Sequence, residues 1–166
     1  AAIAKQAPAF LYLVPDFQNP AGVTLSLAKR LAIVDLANRH GFWVIEDVPY
    51  RKLRYRGESL PLLREIDPAR IITMSSFSKL LSPGIRVGYL VGPQPVIKQI
   101  QTIATNTYIS PSMVSQSIVN QFVRSGRIDS AVATVKNALR ERRDTLVAAL
   151  RRDLPEAEFS PPEGGY

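Results

Sequence analysis

The chain has 166 residues, 46% hydrophobic and 21% charged, with no cysteine and a formal net charge of +7. That balance is ordinary for a globular domain with a real core; the lack of cysteine excludes disulfides and thiolate metal sites. No apolar run approaches the ~20 residues that a membrane-crossing helix needs. The positive charge raises nucleic-acid binding as a class. It concentrates in Arg51-Lys52-Leu53-Arg54-Tyr55-Arg56 and in a late segment with Lys136, Arg140 and Arg143, where it reads as a solvated face plus some anion-binding chemistry. The start, Ala1-Ala2-Ile3-Ala4-Lys5, lacks the apolar core and basic lead-in of a secretory signal. A cytoplasmic setting is expected, and so is an internal piece of a longer protein.

Taken in order, Ala9-Phe10-Leu11-Tyr12-Leu13-Val14 is a short apolar run between Pro8 and Pro15, the pattern of a strand buried in a parallel sheet. The turn-rich loop Pro15-Asp16-Phe17-Gln18-Asn19-Pro20-Ala21-Gly22 follows. Ser26 suits an N-cap, and the spacing predicts a helix over 27–40 with Leu27, Leu31 and Val34 on its inner stripe, closed by Gly41. Phe42-Trp43-Val44-Ile45 predicts a second strand that ends in Glu46-Asp47-Val48-Pro49-Tyr50. A polar connection runs to about residue 69. Ile71 to Met74 predicts a third strand and Val87 to Val91 a fourth. Helices are expected over about 94–107, 111–125 and 128–152, the last with Ile128, Val132, Val135, Leu139, Leu146 and Leu150 at helical spacing.

This order argues for an α/β domain, three-layer α/β/α, with a mainly parallel sheet. In such sheets ligands bind beyond the carboxyl ends of the strands. Three polar residues fall there: Asn19 after the first strand, Asp47 after the second and Lys79 after the third. The apolar run Ile71-Ile72-Thr73-Met74 breaks into Ser75-Ser76-Phe77-Ser78-Lys79, and Arg86 follows a loop with Pro83 and Gly84. One amine among small donors and a cation suits a lysine that forms an imine with an aldehyde cofactor carrying a phosphate. Ser76, Ser78 and Arg86 supply donors for that phosphate, the arginine as a bidentate fork. Opposite a protonated pyridine nitrogen, the Asp47 carboxylate would hold the ring as an electron sink. Ser76-Phe77-Ser78-Lys79 also satisfies the Ser-x-x-Lys motif of serine β-lactamases, but neither Ser-Asp-Asn nor Lys-Thr-Gly accompanies it. The single histidine, His40, reads as a surface residue at a helix end.

Together Asn19-Pro20-Ala21-Gly22, Asp47-x-x-Tyr50, Ser76-x-Ser78-Lys79 and Arg86 resemble the fold-type I, pyridoxal-phosphate-dependent aminotransferases of the aspartate aminotransferase superfamily. Within the class I/II branch they are similar to the α-aminoadipate/kynurenine group, and to regulators that fuse the same fold to a winged-helix DNA-binding domain. The spacings agree: 28 positions from Asn19 to Asp47, 32 from Asp47 to Lys79 and 7 from Lys79 to Arg86. The resemblance implies the second half of a pyridoxal 5'-phosphate-binding large domain over 1–160, with 161–166 opening a smaller C-terminal domain. It implies Lys79 as the imine-forming lysine and proton carrier, and Asp47 as partner of the ring nitrogen. Asn19 and Tyr50 would donate to the cofactor's 3-oxygen, and Ser76, Ser78 and Arg86 would hold its phosphate. It also implies a cis Asn19-Pro20 peptide, amino acid and 2-oxo acid substrates, and a homodimer. The alternatives it leaves are an effector domain of a winged-helix regulator, with nucleic acid as partner only through that added domain, and a β-lyase or decarboxylase using the same cofactor.

Overall fold

The computed structural model describes Gln6 and residues 8–166. Four strands, β1 (Phe10–Leu13), β2 (Trp43–Asp47), β3 (Ile71–Ser76) and β4 (Gly88–Val91), form one sheet in the order β1-β2-β3-β4. The first three run parallel, in a register that sets Phe10 beside Trp43 and Asp47 beside Met74. β4 is antiparallel to β3, with Ser76 opposite Gly88. Residues 77–87 contain no helix that could carry a parallel crossover, so the chain turns back on itself. The sheet is thus mainly parallel, with one reversed strand at its edge.

Helix α1 (Leu27–His40) begins where Ser26 Oγ accepts the Lys29 N–H at 3.4 Å. It ends at Gly41, whose backbone is left-handed (φ 75°) and whose N–H returns to the Ala37 carbonyl at 2.9 Å. Both ends follow the sequence, but the buried face does not. Leu27 and Leu31 are exposed, and the inner stripe is Arg30, Val34 and Ala37. The cause is Arg30, which is fully buried and ion-paired to Asp16 at 2.8 Å, so the helix is rotated to bring the guanidinium inward. Val34 and Ala37 join Phe42, Val44, Leu63 and Ile71 in the core.

The polar connection after β2 carries a short helix, α2 (Leu63–Ile66), that periodicity does not announce. Glu46, wholly buried on β2, holds it. Its carboxylate accepts the Leu63 N–H at 2.8 Å, the Arg64 N–H at 3.1 Å and the Thr73 hydroxyl at 2.7 Å. A buried carboxylate without those three donors would be far too costly to keep charged. α1 and α2 cover one face of the sheet. On the other, Ile72 and Ile97 flank Gly92 where α3 (Gln94–Tyr108) departs. Helices α4 (Met113–Arg124) and α5 (Ile128–Asp153) complete the chain. Along α5 Leu146 is exposed, whereas the Arg143 side chain is 13% exposed. Its guanidinium lies 5.3 Å from the Tyr55 ring and donates to the Pro162 carbonyl. No described helix is long and apolar enough to cross a membrane.

Candidate active site

The carboxyl ends of β1, β2 and β3 deliver the predicted residues. After β1, the loop 15–22 is closed by Gln18 N–H to Val23 O at 3.0 Å and Leu25 N–H to Pro15 O at 2.8 Å. Its Asn19-Pro20 peptide is cis, as the resemblance implied. Arg30 anchors the loop from beneath, donating to the carbonyls of Leu25 (3.0 Å), Pro15 (3.1 Å) and Pro61 (2.9 Å) as well as to Asp16. After β2, the ladder continues past Asp47 through Val48 N–H to Met74 O at 2.9 Å, and the chain turns at Tyr50, whose carbonyl accepts the Leu53 N–H at 2.8 Å. After β3, Phe77 N–H pairs with Val87 O at 3.0 Å and the Phe77 ring lies 5.8 Å from that of Tyr89, which fixes the turn bearing Lys79.

Asn19, Tyr50 and Lys79 line one cleft of about 250 Å³, closed on its far side by Gly164, Gly165 and Tyr166. The Lys79 ammonium lies 4.6 Å from the centre of the Tyr166 ring. Ser76, Ser78 and Arg86 are joined to one another. Ser76 Oγ is 3.0 Å from Ser78 Oγ and accepts the Ser78 N–H at 3.1 Å, while Arg86 Nη1 donates to Ser78 Oγ at 3.4 Å. Two hydroxyls and a guanidinium converging in one cup suit a phosphate dianion. Arg86 reaches it from a left-handed backbone, φ 51° and ψ 37°, a conformation held against steric cost for a residue with a side chain.

Asp47, half-buried at the tip of β2, does not line the cleft. Its Oδ2 accepts the Tyr12 hydroxyl at 2.7 Å. Sequence reasoning missed Tyr12, whose position in an apolar run reads as packing. The available signal is the register: Tyr12 pairs with Ile45, so on one face of parallel strands its next neighbour along β2 is Asp47.

It also missed how the tail is held. Tyr55 and Arg56 N–H groups both donate to the Glu163 carbonyl, at 2.7 and 3.1 Å, and Gly165 N–H donates to Leu53 O at 3.1 Å. The Tyr55 hydroxyl donates to the Gly165 carbonyl, and burial raises its pKa above the ordinary tyrosine value. The basic run that suggested a solvated face is therefore partly a structural clasp. A larger cleft, about 680 Å³, opens between β3–β4 and residues 48–65 and contains none of the predicted site residues. Its arginines are committed to backbone: Arg51 to Leu60 O, and Arg64 to Pro68 O and Ile71 O.

Lys79, the Asn19-Pro20 loop and the joined Ser76, Ser78 and Arg86 thus lie at the carboxyl edge of a mostly parallel sheet. The chain belongs to the class I and II aminotransferase family, whose sequence model matches residues 2–166. It is 32% identical over 157 residues to aromatic-amino-acid aminotransferase 1 of Thermococcus litoralis, covering 93% of this chain and 38% of that protein. It is 35% identical over 161 residues to the uncharacterized HTH-type transcriptional regulator YdfD of Bacillus subtilis, covering 95% and 33% of the two chains. The crystal structure of Pyrococcus horikoshii kynurenine aminotransferase, in complex with PMP, matches at a TM-score of 0.93 and 31% identity, over 99% of this chain and 41% of that one. The chain therefore spans about two fifths of the length of the aminotransferases it matches.

Proposed function

We propose that this chain is part of the cofactor domain of a pyridoxal-phosphate-dependent aminotransferase, which moves an amino group between an amino acid and a 2-oxo acid. Residues 1–160 would belong to the large domain and 161–166 would open a smaller one, in a cytoplasmic homodimer. The reading is carried by one observation: Asn19, Tyr50 and Lys79 share a cleft, and Lys79 directly follows Ser78, the centre of the Ser76–Ser78–Arg86 cup.

When bound, pyridoxal 5'-phosphate supplies an electron-withdrawing ring on a phosphate handle. Ser76, Ser78 and Arg86 would hold the handle, and Asp47 would give the ring nitrogen an anionic partner. Asn19 and Tyr50 would donate hydrogen bonds to the ring oxygen. Among the described residues lining the cleft Lys79 is the amine, suited to hold the cofactor's aldehyde carbon and to move a proton at the substrate α-carbon. The half-buried position of Lys79 limits water around that proton.

The test is reduction of the full-length protein with borohydride after loading with the cofactor. Peptide mapping should find the phosphopyridoxyl group on Lys79; finding it on another residue, or on none, defeats the assignment. A second reading, an effector domain of a regulator, has the likeness to YdfD in its favour. It predicts cofactor bound to Lys79 with no turnover of any amino acid and 2-oxo acid pair.

A further inference from the structure

We propose that Tyr12 is a positioning residue for Asp47, holding one carboxylate oxygen so that the other is presented to the cofactor's ring nitrogen. The proposal rests on the cofactor reading above. It starts from a contact between two strands: the Tyr12 hydroxyl and Asp47 Oδ2 lie 2.7 Å apart. A carboxylate accepts through either oxygen and turns freely about its last bond unless something stops it. Asp47 is the last residue of β2, where the strand ends and the loop towards Tyr50 begins. Nothing about strand geometry alone decides which oxygen faces the site. A hydroxyl donor on Oδ2 does decide it, and a hydrogen bond to an ionised oxygen is about twice as strong as one between neutral groups.

The packing around Tyr12 separates this role from a structural one. The residue is 52% exposed, on the face of β1 away from the core formed by Leu11, Leu13 and Val44. A phenylalanine would retain the ring's contacts and the strand. What it would lose is the hydroxyl. The hydroxyl stays protonated across the physiological range: its pKa is pushed up to about 12, chiefly by the hydrogen bond to Asp47, with burial and the charges of Asp47 and Tyr50 adding to it. Tyr12 is therefore a fixed donor and not a proton carrier.

The experiment compares the full-length protein with Tyr12→Phe, Asp47→Ala and the double variant. Two properties are read: the dissociation constant of pyridoxal 5'-phosphate by equilibrium dialysis, and the pH midpoint of the bound cofactor's visible absorption. In Tyr12→Phe the cofactor should be held roughly tenfold or more weakly, the scale of one hydrogen bond to a charged group. The absorption midpoint should move with it. In the Asp47→Ala background the same change should alter affinity less than about twofold, because the oxygen it orients is gone. An unchanged affinity and midpoint in Tyr12→Phe overturns the proposal, and so does an equal loss in both backgrounds, which would mean a structural effect. If the unmodified protein does not bind the cofactor, the reading under Proposed function falls together with this one; if it binds and Tyr12→Phe matches it, only this one falls.

Discussion

The ring of Phe17 fills the space that any side chain at residue 164 would need. A Cβ placed on Gly164 would lie 2.3 Å from Phe17 Cζ, and 2.5 and 2.6 Å from its two neighbouring ring carbons. Phe17 cannot easily withdraw. Its backbone is left-handed (φ 52°), it is 3% exposed, and the Arg54 guanidinium sits 4.7 Å from its ring centre. The contact joins the tail to the loop that carries Asn19. Gly164→Ala should therefore cost ~1–3 kcal/mol, the usual range for overpacking, and should lift the tail from the cleft. Urea unfolding and limited proteolysis around residue 160 check both effects. Phe17→Leu introduced beside it should recover part of the loss, since the branched chain can yield where a ring cannot.

Asp16 and Arg30 form a buried pair of unequal dependence. Arg30 retains three carbonyl acceptors besides Asp16, whereas Asp16 Oδ2 has no partner at all among the described residues. The second cation near Asp16, Arg54, stands off at 3.6 Å. Removing Arg30 therefore strands a buried carboxylate, and Arg30→Met should destabilise by ~3–5 kcal/mol. Asp16→Asn should cost clearly less, because the amide oxygen still accepts from Arg30 and Arg30 keeps its three carbonyl acceptors. Equal losses in chemical denaturation would show that the carbonyl contacts of Arg30 are not what holds the loop.

These two sites also mark what the sequence could and could not reveal. Strands and long helices are legible because apolar runs or helical spacing record an apolar face, buried along β2 and β3 and left without a buried residue along β4 and α3. Asn19, Asp47 and Lys79 stand out for the converse reason: they are polar residues at or beyond the carboxyl ends of apolar strands, where a packing role is poor. The rotation of α1 is not legible, because its cause is a carboxylate in a preceding loop and not a pattern within the helix. α2 has too few residues to show a period, and it exists through Glu46 on another strand. Tyr12 and Gly164 look like ordinary packing and an ordinary turn until their partners, Asp47 and Phe17, are brought beside them.

Arg86 allows backbone strain to be separated from binding. A left-handed conformation costs a residue with a side chain ~1–2 kcal/mol, and glycine escapes that cost. Arg86→Gly should thus leave the melting temperature unchanged or slightly higher. Cofactor affinity should nevertheless fall by tenfold or more, since the guanidinium that meets Ser78 is gone. Thermal melting without cofactor, set beside dialysis with it, separates the two. A lower melting temperature with unchanged affinity would remove Arg86 from the phosphate cup.

The last prediction concerns alkaline pH. Tyr12 has its folded-state pKa raised from 10.0 to about 12 by the hydrogen bond to Asp47. The sign follows from linkage: the interaction's contribution to stability is complete below pH 10, where the phenol is protonated in both states. It declines above pH 10 and is lost as pH rises through about 12, where the folded phenol also ionises beside an existing carboxylate. The stability difference between the full-length protein and Tyr12→Phe should therefore be constant from pH 7 to 9 and shrink between pH 10 and 12. Urea midpoints measured across that range give the profile directly. In an Asp47→Ala background the phenol should ionise nearer 10, visible as one tyrosine moving to lower pH in the ultraviolet titration. A profile that is flat through pH 12, or one that changes below pH 9, would mean that the Tyr12–Asp47 hydrogen bond is not its source.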